Sequence, residues 1–183
     1  MPNESMIFRH SIIEGCSTLP RRAILGLLLF ALAGCVSNPS PTPLTPNIYV
    51  MRHLHTPKGV KDPDLTAEGR AHAEALAIWF SRDPPSVIFV SSTKRASQTA
   101  APTAQRFKVT PKTYDPSDTP ALIAMVTQEK GTIFVVGHSN TVPDIVAGLG
   151  GERPGELAHE DFGDIWHIAG PMRATTRAKL SKN

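Results

Sequence analysis

Apolar positions come in short runs separated by longer amphipathic stretches, and this alternation gives the fold. Val87 to Val90 (VIFV) and Thr132 to Val136 (TIFVV) are almost wholly apolar. Such runs predict strands buried on both faces. Ile48 to Arg52 (IYVMR) has the same β-rich character and predicts the first strand of the folded part. Between these runs the pattern turns helical. Asp64-Leu65-Thr66 supplies cap residues before a helix through Ala71 to Phe80, which Asp83-Pro84-Pro85 stops. Ser92 or Thr93 caps a second helix reaching Arg106. A short strand is expected around Val109, and a helix opens at Pro120 and ends near Gly131. Val142 to Leu149 predicts a short helix stopped by Gly150-Gly151, and Ile165 to Ile168 a final edge strand. Strand and helix in alternation imply right-handed crossovers, hence a mainly parallel central sheet in a three-layer αβα sandwich.

The first part of the chain follows other rules. Arg21 and Arg22 precede the unbroken small-or-apolar run Ala23 to Ala33. Eleven helical residues rise only about 16 Å against a hydrocarbon core of roughly 30 Å, too short to span it. Basic, apolar and then small residues are the order of a secretory signal. The break at Leu32-Ala33-Gly34-Cys35 resembles the bacterial lipoprotein signal, with Cys35 as the lipidated first mature residue. Val36 to Asn47 holds four prolines in twelve residues and predicts an extended tether. The expected organisation is a signal peptide over 1–34, a Pro-rich tether over 35–47 and a folded domain over 48–183.

Composition narrows the chemistry. The other cysteine, Cys16, falls in the discarded segment, so the mature chain is expected to have neither a disulfide nor a thiol nucleophile. The formal charge is +3 for the whole chain. With no Lys/Arg run and no basic stripe among aromatics, nucleic acid is not an expected partner.

The chemistry-bearing residues fall at strand C-termini. Arg52-His53 follows the first strand, Ser91 to Arg95 the second, and His138 the strand ending at Val136. In open parallel sheets, ligands bind in the crevice outside those ends. Two guanidiniums and two imidazoles therefore converge. Guanidinium forks match phosphate oxygens bidentately, and neutral imidazole is a nucleophile near neutral pH. The helix opening after Thr93 adds backbone N–H donors. The site is suited to a dianion.

These segments also resemble a family. Arg52-His53-Leu54-His55-Thr56 resembles the Arg-His-Gly-x-Thr signature of the histidine phosphatase superfamily, which includes the phosphoglycerate mutases. Leu65-Thr66-x-x-Gly69, Ser91-Ser92-x-x-Arg95-Ala96 and Val136-Gly137-His138-Ser139 are similar to its later motifs, in the same order. The resemblance covers residues 48 to 150. It implies a phosphoglycerate mutase-like fold and makes His53 the phosphorylated nucleophile. Arg52 and Arg95 become the phosphate clamp, and His138 the second pocket histidine, donating to the phosphoryl oxygens. No cofactor and no metal are implied.

Leu54 stands where the family has glycine, so a different local backbone or a more apolar pocket wall is expected. The general acid is not evident. Asp115 is the nominee and Asp118 its competitor. Arg95 and His138 lie only 43 positions apart, so an open site is expected, as in the short phosphohistidine phosphatases of the superfamily. His55 lies two residues from His53, the spacing that would put both on one strand face as metal ligands, but such a metal site is not expected. No third ligand stands at a telling spacing, and His72 is expected to be an exposed helix residue.

The expected function is a phosphomonoesterase working through a phosphohistidine, exported and lipid-anchored in a bacterial envelope, facing the periplasm and held at the outer membrane. Its partners would be a phosphorylated small molecule or an envelope glycan, and the membrane through its anchor. Two rivals are a protein phosphohistidine phosphatase and a catalytically inactive phosphate- or glycan-binding lipoprotein. Specificity is expected in the loops 57–63 and 111–119 and in the segment after 150.

Overall fold

The computed structural model describes residues 45–180. The expected signal peptide, Cys35 and the tether up to residue 44 lie outside the described residues.

Six strands form one sheet: β1 Asn47–Arg52, β2 Val87–Ser91, β3 Lys112–Tyr114, β4 Thr132–Gly137, β5 Asp164–Ala169 and β6 Ala174–Lys179. Their order across it is β3-β2-β4-β1-β5-β6. The pairs β2–β3, β2–β4 and β1–β4 are parallel, and β1–β5 and β5–β6 are antiparallel. Four α-helices complete the fold: α1 Ala67–Trp79, α2 Lys94–Phe107, α3 Thr119–Thr127 and α4 Val142–Gly148. The architecture is the expected α/β one.

The apolar runs are continuous because each central strand is covered twice. Tyr49, Met51, Phe134 and Val136 pack with Leu76 and Phe80 from the α1 side and Ala96 and Ala100 from α2. Their neighbours Ile48, Val50, Ile133 and Val135 pack with Leu122 and Val126 of α3 and Ile145 and Val146 of α4. Successive side chains on a strand point to opposite faces, so two cores need two interleaved apolar sets. This puts the sheet between helices, with its parallel strand ends free to carry a site.

Three boundaries differ from the sequence expectation. Val109 is not in a strand. Lys108 adopts φ 56°, and the Val109 N–H donates to Ala104 O at 3.0 Å, closing α2. Its side chain packs back on the core, as apolar residues after such caps do, and β3 begins only at Lys112. The second difference is β5, which is an interior strand between β1 and β6. The edge is β6 (ATTRAK), whose exposed Thr and Lys positions carry no apolar signature. Charged, poorly apolar edges resist pairing with other chains. Third, α3 ends at Thr127, and Gly131, with φ 80°, turns the chain into β4.

Gly69 in the first turn of α1 is required by a close approach. A Cβ there would stand 2.5 Å from the His55 carbonyl oxygen. That carbonyl accepts the Thr66 N–H at 2.9 Å, so the backbone is held on both sides. Gly69→Ala should lower stability by about 1–2 kcal/mol despite its better helix propensity. A melting temperature roughly 3–8 °C lower is expected, and an unchanged melt would show that the connection yields.

Candidate active site

Arg52 ends β1, and His53 follows it with its backbone N–H bonded to Gly137 O at 2.9 Å. That bond extends the β1–β4 ladder by one rung and sets His53 beside His138, which follows β4. The two rings are 5.4 Å apart between centroids. Arg95 projects from the first turn of α2, whose N-cap Thr93 accepts from the Ala96 N–H. Its Nη2 lies 3.4 Å from His138 Nδ1. The structure therefore brings Arg52, His53, Arg95 and His138 together at the strand ends.

His53 is oriented by its own chain. Its Nδ1 lies 2.8 Å from Leu54 O, a carbonyl that can only accept. The proton thus sits on Nδ1, and Nε2 carries the lone pair. Burial is the main reason its pKa falls to about 3, and His138, Arg52 and Arg95 depress it further. His138 is pushed down to about 4, first by burial and then by Arg95 and Arg52. Arg95 is donor-only, so a hydrogen bond to it makes Nδ1 of His138 an acceptor and leaves Nε2–H to donate to Ser91 Oγ, 2.8 Å away. Both imidazoles are neutral at pH 7, one of them ready as a nucleophile.

This has a sign for stability. Each histidine binds its proton near pH 6.5 when unfolded but only near 3–4 when folded. The unfolded chain takes up protons first as pH falls. The stability is therefore complete above about pH 6.5 and lost progressively toward pH 3–4. Melting temperature should fall between pH 6.5 and 5, less steeply in His138→Gln. Equal slopes in the two proteins would refute the assignment.

Residues 48–117 match the histidine phosphatase superfamily (branch 1). The match contains Arg52, His53 and Arg95 and stops before His138, which the fold supplies. No curated protein matches the chain in sequence. Among solved structures, the protein histidine phosphatase SixA complexed with tungstate superposes with TM-score 0.56 at 18% identity, over 72% of this chain and 94% of its own. A mycobacterial glucosyl-3-phosphoglycerate phosphatase gives 0.58 at 14% identity, over 74% and 98%. A mycobacterial hydrolase gives 0.59 at 14%, over 75% and 99%. The described domain thus has the histidine phosphatase fold.

The departure at Leu54 is absorbed by the core. Leu54 is fully buried among Leu65, Leu76 and Phe80, and its φ is not positive, so neither a glycine conformation nor an apolar pocket wall results. Its N–H donates to Thr99 Oγ1 at 2.9 Å, and that hydroxyl donates to Arg95 O at 2.8 Å. Thr99 so ties the loop of His53 to the helix of Arg95.

Both nominated acids are engaged by neighbouring backbone and side-chain donors. The Asp115 carboxylate accepts from Ser117 Oγ at 2.7 Å and Ser117 N at 2.9 Å, which hold it below the usual carboxylate range. Asp118 caps α3 by accepting from the Ala121 N–H at 3.0 Å. Their positions are explained by turn and cap geometry.

Sequence reasoning missed the segment that crosses the site. Arg52 Nη1 donates to the carbonyls of Ala158 at 2.7 Å, His159 at 3.0 Å and Asp161 at 3.3 Å. The guanidinium lies 4.1 Å over the Phe162 ring. These residues belong to an irregular stretch whose only signal was Phe162 between polar neighbours. The segment borders the site, which is open to solvent. A cavity of about 390 Å³ is lined by Arg52, His53, Arg95, the 57–63 loop and His159. A second space of about 300 Å³ lies on the other side of Arg95, against Ser117, His138 and Asn140. In the first, Asp62 pairs with Arg95 at 3.3 Å and accepts from the Lys94 N–H at 3.0 Å.

His53 and His55 do not share a face. The strand ends at Arg52, so the alternation that would align them stops, and the His55 ring turns to His72 instead. His72 is not exposed, contrary to expectation; only 8% of its surface is accessible.

Proposed function

We propose that the domain hydrolyses a phosphomonoester through a phosphohistidine on His53. The observation that carries this is the His53 tautomer. Leu54 O holds the Nδ1 proton, which leaves the Nε2 lone pair in a pocket with two guanidiniums and a second imidazole. A phosphate dianion entering there exchanges the Asp62 carboxylate on Arg95 for its own oxygens. It also meets Arg52, whose Nε is buried with no protein partner. Nε2 attacks phosphorus, the ester P–O bond breaks, and the leaving oxygen takes a proton. Water then attacks the phosphohistidine, the P–N bond breaks, and inorganic phosphate leaves. Donors already placed around the equatorial oxygens lower both barriers. The dianion also favours protonation of His138, which then donates to a phosphoryl oxygen while Nε2–H keeps Ser91.

The engagement of Asp115 and Asp118 favours a second substrate class. A phosphoramidate such as phosphohistidine has a weaker bond to phosphorus and a better leaving group than an alkyl ester. It asks less of a general acid. The likeness in fold to a protein histidine phosphatase agrees with this reading.

Lipidation at Cys35 and export to the envelope are part of the proposal, supported by the Leu32-Ala33-Gly34-Cys35 segment and the prolines after it. Among the described residues no helix is long and apolar enough to cross a membrane.

The test is turnover by the purified protein of p-nitrophenyl phosphate, alkyl phosphates and phosphohistidine, with tungstate as competitor. Esters and phosphoramidate both turned over supports the first reading, and phosphohistidine alone supports the second. No turnover with retained tungstate binding leaves an inactive phosphate-binding protein. Palmitate incorporation surviving Cys35→Ala would sink the anchor.

A further inference from the structure

Behind the candidate active site, on the far side of the connection from β1 to α1, three side chains gather that the phosphate chemistry does not use. His55 lies in that connection, and Glu68 and His72 stand four residues apart on α1, on one face of the helix. The two imidazoles present Nδ1 to Nδ1 at 3.3 Å. The Glu68 carboxylate is 3.9 Å from Nε2 of His55. One ligand atom from each of the three lies within 4.8 Å of the other two.

From these distances we infer that His55, His72 and Glu68 form a binding site for a divalent transition ion of the zinc class. Two imidazoles on one tetrahedral zinc, with bonds of about 2.0–2.1 Å, hold their nitrogens about 3.3–3.4 Å apart. The observed 3.3 Å spacing matches that geometry. The two histidines are also fixed before any metal arrives. His72 is nearly buried in α1, and the His55 backbone is held by the Thr66 N–H and by contact with Gly69. The Glu68 carboxylate, within 4.8 Å of a ligand atom of each histidine, closes further to become the third ligand. Water then takes the fourth position. A N₂O ligand set with one carboxylate suits zinc, cobalt or nickel rather than calcium or magnesium, which prefer all-oxygen shells.

The ion would clip the connection holding His53 to the first turn of α1. Phe162 borders both sites, with its ring 4.5 Å from His55 and 5.9 Å from His53 between centroids. The clip therefore acts on structure beside the reaction and takes no step in it.

The experiment is a calorimetric titration of the full chain, stripped with chelator, with Zn²⁺ alone. A single equivalent should bind and raise the melting temperature. His55→Ala and His72→Ala should each weaken binding by more than roughly 100-fold, beyond the loss expected from removing a merely orienting neighbour. Glu68→Gln should weaken it less. His53→Ala should leave it unchanged, which separates this site from adventitious zinc between His53 and His138. Because His72 is nearly buried, the half-buried His55→Ala variant and melts in chelator guard against misreading an unfolded protein. Absence of binding, binding indifferent to His55→Ala and His72→Ala, or binding abolished by His53→Ala would overturn the inference. Tetrahedral visible absorption from bound Co²⁺, lost in His72→Ala, would confirm the ligand set.

Discussion

His53→Ala should lower kcat/KM by a factor on the order of 10⁴ or more, the scale seen when a covalent nucleophile is removed. The size follows from what the ring does alone. In the proposed reaction it supplies the lone pair that becomes the bond to phosphorus, and no neighbour can replace it. Arg52 and Arg95 carry no lone pair while charged, and His138 is held between Ser91 and Arg95. Phosphate binding should survive, because the charged groups remain. Tungstate inhibition or binding within several-fold of the parent protein, together with loss of an acid-labile phosphoenzyme, is the expected pair of results. His53→Asn fills more of the space left between His138 and Phe162 and should be equally inactive. A variant keeping more than about a hundredth of the activity would place the nucleophile elsewhere.

Arg52→Ala should cost roughly 10³-fold in kcat/KM and, unlike Arg95→Ala, should also lower the melting temperature by several degrees. The difference lies in what each guanidinium holds in the absence of substrate. Arg95 is partly exposed and pairs with Asp62, an interaction that solvent largely replaces. Arg52 is 5% exposed and donates to three carbonyls of residues 158–161 while lying on Phe162. Hydrogen bonds from a charged donor contribute about 1.5–3 kcal/mol where desolvation does not cancel them. Their loss frees the segment covering the pocket. Arg52→Lys should recover little activity, since a point charge cannot serve three carbonyls and a phosphate with one planar fork. If Arg52→Ala melts with the parent protein, the guanidinium does not anchor the loop, and its role reduces to charge.

Much of the site was legible because it lies at the ends of regular elements. The runs IYVMR and TIFVV end in Arg52-His53 and Gly137-His138, and Thr93 caps the helix that carries Arg95. Where strands end in parallel, side chains just beyond them must converge. Local patterns served less well where a residue's partner is remote. His72 looked like a surface residue because four neighbours on its own helix do not include His55, seventeen positions earlier. Asp115 and Asp118 invited a catalytic reading because composition does not reveal that one closes a turn and the other caps α3.

The sequence by itself determined the two-faced strands, the alternation of strand and helix, and the set of four side chains at the strand ends. Those follow from periodicity and capping, which act within a few residues. Only the tertiary structure decided that Leu54 serves the core, that residues 158–162 wrap Arg52, and that β6 forms the edge. Each depends on contacts across long stretches of chain between segments with no regular pattern, and the free energy of such contacts is written in no local stretch of sequence.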